Sequence, residues 1–151
     1  MSENKESGFV NLDQARFDDQ REVMKRIIDS GECPFCPENL EIIHSKPIDL
    51  RLGNWVLTHN AWPYAHTETH LLAIPTYHVE QLSDLKKGSF EELLEMIIWA
   101  EKEYDITSGG IAMRFGDIKF NGSSVKHLHA HIIVPDRNKS PENKVKFKIS
   151  E

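Results

Sequence analysis

The chain has 151 residues, 39% hydrophobic and 28% charged, which is the size and balance of one globular domain around a single core. Its formal net charge of −6 excludes a broad electrostatic footprint on nucleic acid or an anionic membrane, so any phosphate it handles must be met locally. No apolar run approaches the roughly 20 residues that span a bilayer, and the N-terminus lacks the basic-then-apolar plan of a signal peptide, so a cytoplasmic location is expected.

In chain order, residues 11–31 predict a helix, with Leu12, Phe17, Val23, Ile27 and Ile28 among charged residues and Gly31 as its stop. The turn Cys33-Pro34-Phe35-Cys36 follows, and then extended segments are expected at Glu41–His44, Ile48–Leu52 and Trp55–Asn60, broken by Pro47 and Gly53. The connection holding Trp62 and Tyr64 is rich in aromatics and proline, as an ordered loop requires, and a strand resumes at Leu71–Ile74. An aromatic there can pack locally or close over a pocket.

The clearest helix begins at Ser89, where Ser89-Phe90-Glu91-Glu92 has the form of a capping box, and runs to about Tyr104. Phe90, Leu93, Leu94, Ile97 and Tyr104 form its expected core stripe, and Met96, Ile98 and Trp99 widen it toward a second contact, in the core or with another subunit. Beyond Gly109-Gly110, strands are expected at Ile111–Phe115 and Val125–Val134, and the alternation in Lys144–Ile149 predicts an edge strand. No repeat and no second domain is visible. Residues 1–32 read as an N-terminal helical extension to a domain spanning 33–151.

Two features carry chemistry. Cys33 and Cys36 have the spacing of a redox pair or of half a tetrahedral metal site. The second feature is His127-Leu128-His129-Ala130-His131. On an extended strand its three imidazoles share a face, one every ~6.5–7 Å. The outer two are then about 13–14 Å apart, far beyond the ~4 Å that separates two ligands on one zinc. A single ion shared by all three is therefore excluded for a straight strand. Imidazole can otherwise serve as nucleophile, ligand or hydrogen-bond donor.

His127-Leu-His-Ala-His-Ile-Ile133 resembles the His-φ-His-φ-His-φ-φ signature, φ being apolar, of the histidine-triad (HIT) superfamily of nucleotide hydrolases and transferases. The resemblance extends to His70-Leu-Leu-Ala-Ile-Pro-Thr-Tyr-His78, similar to the family's Ile-Pro-x-x-His strand end, and to the Cys-x-x-Cys of its zinc-containing hydrolase branch, covering residues 33–135. It implies an α+β fold with an antiparallel sheet and helices packed on one side, commonly assembled as a homodimer. It implies cleavage at the α-phosphate of a purine nucleotide conjugate, either a nucleoside phosphoramidate or a dinucleoside polyphosphate.

Carried over residue by residue, the resemblance makes His129 the nucleophile that forms a covalent nucleotidyl-histidine. His131 and His70 face the phosphate and leaving group, and Asn60, Gly122, Ser123 and Ser124 bind substrate. Cys33, Cys36, His78 and His127 match zinc ligands, and such a closed set is structural. The nucleophile's second ring nitrogen must donate to a backbone carbonyl in the same strand region. The chain departs from the family at Gly116, where relatives often place Asn or Gln, and Asn121 is the expected substitute. Two other function classes stand beside this one: a nucleotide-binding scaffold on the same fold with vestigial catalysis, and an enzyme whose three motif histidines hold a catalytic ion.

Overall fold

The computed structural model describes residues 6–150. Two short strands, β1 (Glu6–Ser7) and β2 (Val10–Asn11), pair with each other, and a single 3-10 turn at Leu12–Gln14 leads to helix α1 (Asp18–Ser30). The one helix expected over 11–31 is thus two elements, because the Asn11 side chain caps Asp13 N–H and Ala15 is extended. Gly31 ends α1 in the left-handed conformation (φ 68°) that glycine adopts without Cβ strain.

Glu41–His44 was expected to be extended and is instead the end of helix α2 (Pro37–Ile43). Pro37 in the first turn supplies a pre-set φ and lacks the N–H that a helix start leaves unpaired, so the Cys-Pro-Phe-Cys-Pro turn launches a helix.

The remaining strands are β3 (Ile48–Leu52), β4 (Trp55–His59), β5 (Thr67–Pro75), β6 (Gly110–Met113) and β7 (Ala130–Pro135), forming one antiparallel sheet of order β3-β4-β5-β7-β6. Between β5 and β6 lies α3 (Ser89–Glu103), and the single turn α4 (Ile118–Asn121) follows β6. The class is α+β, as expected.

Leu71 and Ala73 of β5 share a buried cluster with Trp55, Leu57, Ala130, Ile132 and the α3 residues Leu93, Met96, Ile97 and Ala100, so α3 covers one face of the sheet. Leu72, Val56 and Ile74 point the other way, against Leu40 of α2. The buried line of α3 follows the i, i+3, i+4, i+7 rule from Leu93. Phe90 and Leu94, expected in the core, lie one step around the helix and are exposed. Trp99 packs against the same core, edge-on to Tyr104 at 5.9 Å between ring centres.

The expected capping box is not formed. The N-cap is Gly88 (φ 87°), and Glu92 Oε2 accepts instead from Asn54 N–H at 2.8 Å in the β3–β4 turn. A Cβ on Gly53 (φ 55°) would sit 2.3 Å from that carboxyl, so the bond requires glycine.

Two further expectations are corrected. Of the predicted strand 125–134, only the part from Ala130 onward joins the sheet, as β7. Lys126 N–H donates to Phe9 O and Leu128 N–H to Val79 O, which takes the chain across to other loops before it enters β7. Lys144–Ile149 forms no strand, and the Lys148 carbonyl accepts from the Arg114 side chain.

Candidate active site

Departure from the sheet lets His127 leave the row. Its Nδ1 lies 3.4 Å from Cys33 Sγ and 3.7 Å from Cys36 Sγ, and His78 Nδ1 lies 3.4 Å from Cys36 Sγ. All four ligand atoms fall within 4.8 Å of one another. A tetrahedral zinc with Zn–S ~2.3 Å and Zn–N ~2.05 Å has N···S edges of about 3.5 Å, so the separations fit. The protonation pattern fits too. His127 Nε2–H donates to Pro75 O at 3.0 Å, and His78 Nε2 faces Glu80 Oε2 at 2.9 Å. Each imidazole therefore has its proton on the outer nitrogen and a lone pair on the inner one, the arrangement a metal ligand needs. Burial pushes the Cys36 thiol up to about 12 and Cys33 in the same direction, a cost that a bound dication reverses by favouring thiolate.

His129 follows the opposite rule. Its Nδ1–H donates to the His127 carbonyl at 2.8 Å, leaving a lone pair on Nε2. Burial holds its pKa down to about 4, with the Arg114 charge acting in the same direction and the His127 carbonyl against it, so the ring is neutral near pH 7. A neutral imidazole with Nε2 free is a competent nucleophile.

His131, on β7, is linked to β5. The Tyr64 backbone N–H can only donate, so His70 Nδ1 accepts it at 3.1 Å and the single His70 proton sits on Nε2. That proton points at His131 Nδ1, 2.8 Å away, which in turn places the His131 proton on Nε2. His131 Nε2 is buried with no protein partner among the described residues, an oriented donor awaiting an acceptor. Burial holds His70 down to about 3, aided by the Arg16, His129 and Arg114 charges, and burial also holds His131 well below its ordinary value.

His129 and His131 line a cavity of about 620 Å³ whose far wall is built by Gln20, Val23, Met24 and Ile27 of α1. Pro34 and Phe35 of the cysteine turn also line it, with the Phe35 ring edge-on to His129 at 5.1 Å.

The profile of the HIT domain matches residues 56–138, more than half of the chain, and these residues contain most of β4, all of β5 through β7, and His70, His129 and His131. The chain belongs to the HIT family. No curated protein matches it. Among solved structures it is similar to a histidine triad protein from Clostridium difficile, at 21% identity over 74% of this chain and 96% of that one, TM-score 0.56. It is also similar to a HIT family hydrolase from Legionella pneumophila Philadelphia 1, at 20% identity over 74% and 100%, TM-score 0.51. A Zn-bound histidine triad family protein from Mycobacterium smegmatis aligns at 23% identity over 80% and 84%, TM-score 0.52.

Within this HIT chain, Asn60, Gly122 and Ser124 line the cavity. Asn60 Oδ1 is held by Trp62 N–H at 2.9 Å, and Gly122 is left-handed (φ 76°) with the Ser150 carbonyl 3.0 Å from where a Cβ would stand. Ser123 does not join them. It is buried, its hydroxyl donates to Val125 O at 3.0 Å, and it lines a separate small hollow. Asn121, expected to replace the amide missing at Gly116, is spent on its own loop, donating to Phe115 O and accepting from Ser123 N–H. Gly116 itself turns toward Gln81 (φ 85°).

Trp62 and Tyr64 both reach the cavity, and Tyr64 stacks on His131 at 5.6 Å. Sequence reasoning missed Arg16, Arg114 and the tail lysines Lys144, Lys146 and Lys148, all of which line it. For Arg114 a signal existed: a lone charge at the end of the apolar run Ile111-Ala-Met. Arg16, in a charged segment, offers none.

Proposed function

We propose that the protein is a hydrolase or nucleotidyl transferase acting at the α-phosphate of purine nucleotide conjugates, nucleoside phosphoramidates or dinucleoside polyphosphates, through a covalent intermediate on His129. The observation that carries this is the 2.8 Å bond from His129 Nδ1–H to the His127 carbonyl, which selects the nucleophilic tautomer in a ring facing the cavity. His129 Nε2 attacks phosphorus, the bond to the leaving group breaks, and the electron pair departs with that group. Water then displaces the histidine: a P–O bond forms, the P–N bond breaks, Nε2 recovers its lone pair and the water proton passes to solvent. The His131 Nε2–H donates to a phosphate oxygen as negative charge builds, and His70 positions it. Asn60, Gly122 and Ser124 contact ribose and phosphate, and Phe35, Leu72 and Ile43 offer apolar surface to the base.

On this reading Cys33, Cys36, His78 and His127 hold a structural zinc, which ties the N-terminal segment to the sheet and fixes the backbone carrying the His127 carbonyl. Residues 1–32 extend a HIT domain at 33–151, with α1 supplying a cavity wall. A homodimer is part of the proposal, supported by exposed Phe90, Leu94 and Ile98 on α3 and by exposed Ile111 on the edge strand β6.

The test is trapping. Brief incubation with an adenosine phosphoramidate or a diadenosine polyphosphate, followed by peptide mass spectrometry, is expected to show a nucleotidyl increment on His129. Folded protein with neither adduct nor turnover on any such substrate overturns the proposal, and mononucleotide binding without turnover would make it a scaffold.

A further inference from the structure

Away from His129 and His131, the cavity carries more positive charge than one reacting phosphate needs. Arg16, Arg114, Lys144, Lys146 and Lys148 line it against the single carboxylate of Glu142, in a chain whose net charge is −6. Arg16 and the tail lysines lie outside the residues shared with the family profile, so this charge is a feature of the chain's own flanking segments.

Arg114 is buried. Its Nε and Nη2 donate to the Lys148 carbonyl at 2.8 and 2.6 Å, and its guanidinium lies 3.9 Å over the Phe147 ring, which packs edge-on to His131 at 5.2 Å. Nη1 has no partner among the described residues. Arg16 lies 4.5 Å over the Tyr64 ring and donates to the Trp62 and Pro63 carbonyls. Arg114 Nη2 approaches the Tyr64 hydroxyl at 3.4 Å, and the same Tyr64 ring stacks on His131. Two guanidiniums thus converge one aromatic ring away from His131. Among the described residues neither has a carboxylate within ion-pair distance. A buried guanidinium without a counter-ion is costly, and a phosphate is its natural bidentate partner.

The hydrogen-bond chain adds a second constraint. Because Tyr64 N–H fixes His70, and His70 fixes His131, the only ring proton of His131 is the one on Nε2. Releasing it to a leaving group would leave an imidazolate, so His131 stabilises charge without supplying a proton. An amine needs a proton to depart, whereas a phosphate departs as a stable anion.

Resting on the hydrolase reading, we infer that Arg114 and Arg16 form a specificity-determining subsite for a phosphate-bearing leaving group, so that polyphosphate-linked nucleotides are preferred to amine-linked ones. In this step His129 Nε2 bonds to the α-phosphorus, the bridging P–O bond breaks, and its electron pair stays on the departing phosphate beside the two guanidiniums.

The experiment compares kcat/KM for diadenosine triphosphate and for an adenosine phosphoramidate with an uncharged amine, in wild type, Arg114→Gln and Arg16→Gln. Titration calorimetry with inorganic tripolyphosphate accompanies it. The wild type is expected to favour the triphosphate, and each variant to lower the ratio of the two values by about 10- to 100-fold, with a matching loss of tripolyphosphate affinity. Arg16→Gln, at an exposed position, keeps the test open if Arg114→Gln does not fold. Turnover of the phosphoramidate with a ratio that neither substitution moves overturns the inference and leaves the hydrolase reading intact. Arginine-dependent tripolyphosphate binding without turnover of either substrate keeps the anion subsite and removes the hydrolase. Absence of both removes both.

Discussion

His127 and His129 are two residues apart and neutral, yet they hold opposite tautomers. His127 gives its Nε2 proton to the Pro75 carbonyl and turns a bare Nδ1 toward two sulfurs, while His129 gives its Nδ1 proton to the His127 carbonyl and turns a bare Nε2 toward the cavity. The side chains are identical. What separates the ring set up as a ligand from the ring set up as a nucleophile is which backbone carbonyl lies within reach, and that is decided by the chain entering β7 only at Ala130.

The sharpest way to break this comparison is to remove one ring at a time. His129→Asn is expected to lower turnover by at least about 10⁴-fold, with bound zinc unchanged by elemental analysis. A metal-dependent reaction shared among the three motif histidines would instead lose zinc with this substitution. Next in size is His127→Ala, which keeps the carbonyl that orients His129 while deleting a ligand. Zinc stoichiometry should collapse and thermal stability fall by an amount on the order of several kcal/mol. Residual turnover should survive in the cold, where the protein remains folded. Equal loss of turnover in the two variants would show that the metal and nucleophile roles are not separable. A smaller effect is expected of Glu80→Ala, which removes the acceptor facing His78 Nε2 and should weaken zinc about 10- to 100-fold in a chelator competition. Unchanged affinity would mean that this carboxylate does not orient the ring.

The same contrast explains what was legible in the sequence. The Cys-x-x-Cys spacing and the alternate histidines named the residues of both clusters, because those patterns depend on residue type and order. The partners that assign the tautomers are main-chain groups, Pro75 O, His127 O and Tyr64 N–H, and a main-chain group has no residue type to read. The tail shows a different failure. Lys144–Ile149 alternates as an edge strand does, yet Phe147 serves as a platform for Arg114 and the Lys148 carbonyl accepts from that side chain. Periodicity reports two faces and is silent on whether a strand lies alongside. Ser123 was expected to face substrate and instead turns inward, because the Val125 carbonyl lies within its reach.

The smallest expected effect tests the hydrogen-bond chain from Tyr64 through His70 to His131. Burial holds His70 down to about 3 in the folded protein, against about 6.5 when the chain is unfolded. Between those values the unfolded chain binds a proton that the folded one refuses. The neutral ring's stabilisation is therefore complete above pH 6.5 and is lost progressively as pH falls toward 3. One such group contributes a slope of up to about 1.4 kcal/mol per pH unit. Release of the proposed zinc would also destabilise the protein in acid, but it would act equally on a variant that keeps all four ligands. Denaturant midpoints for wild type and His70→Asn between pH 7 and 4.5 should therefore converge, the wild type losing stability more steeply by close to one proton. Parallel curves would mean that His70 takes up its proton in the fold at the same pH as in the unfolded chain. The Tyr64 N–H bond to Nδ1 would then not hold the ring neutral, and the single proton assigned to His131 Nε2 would no longer follow.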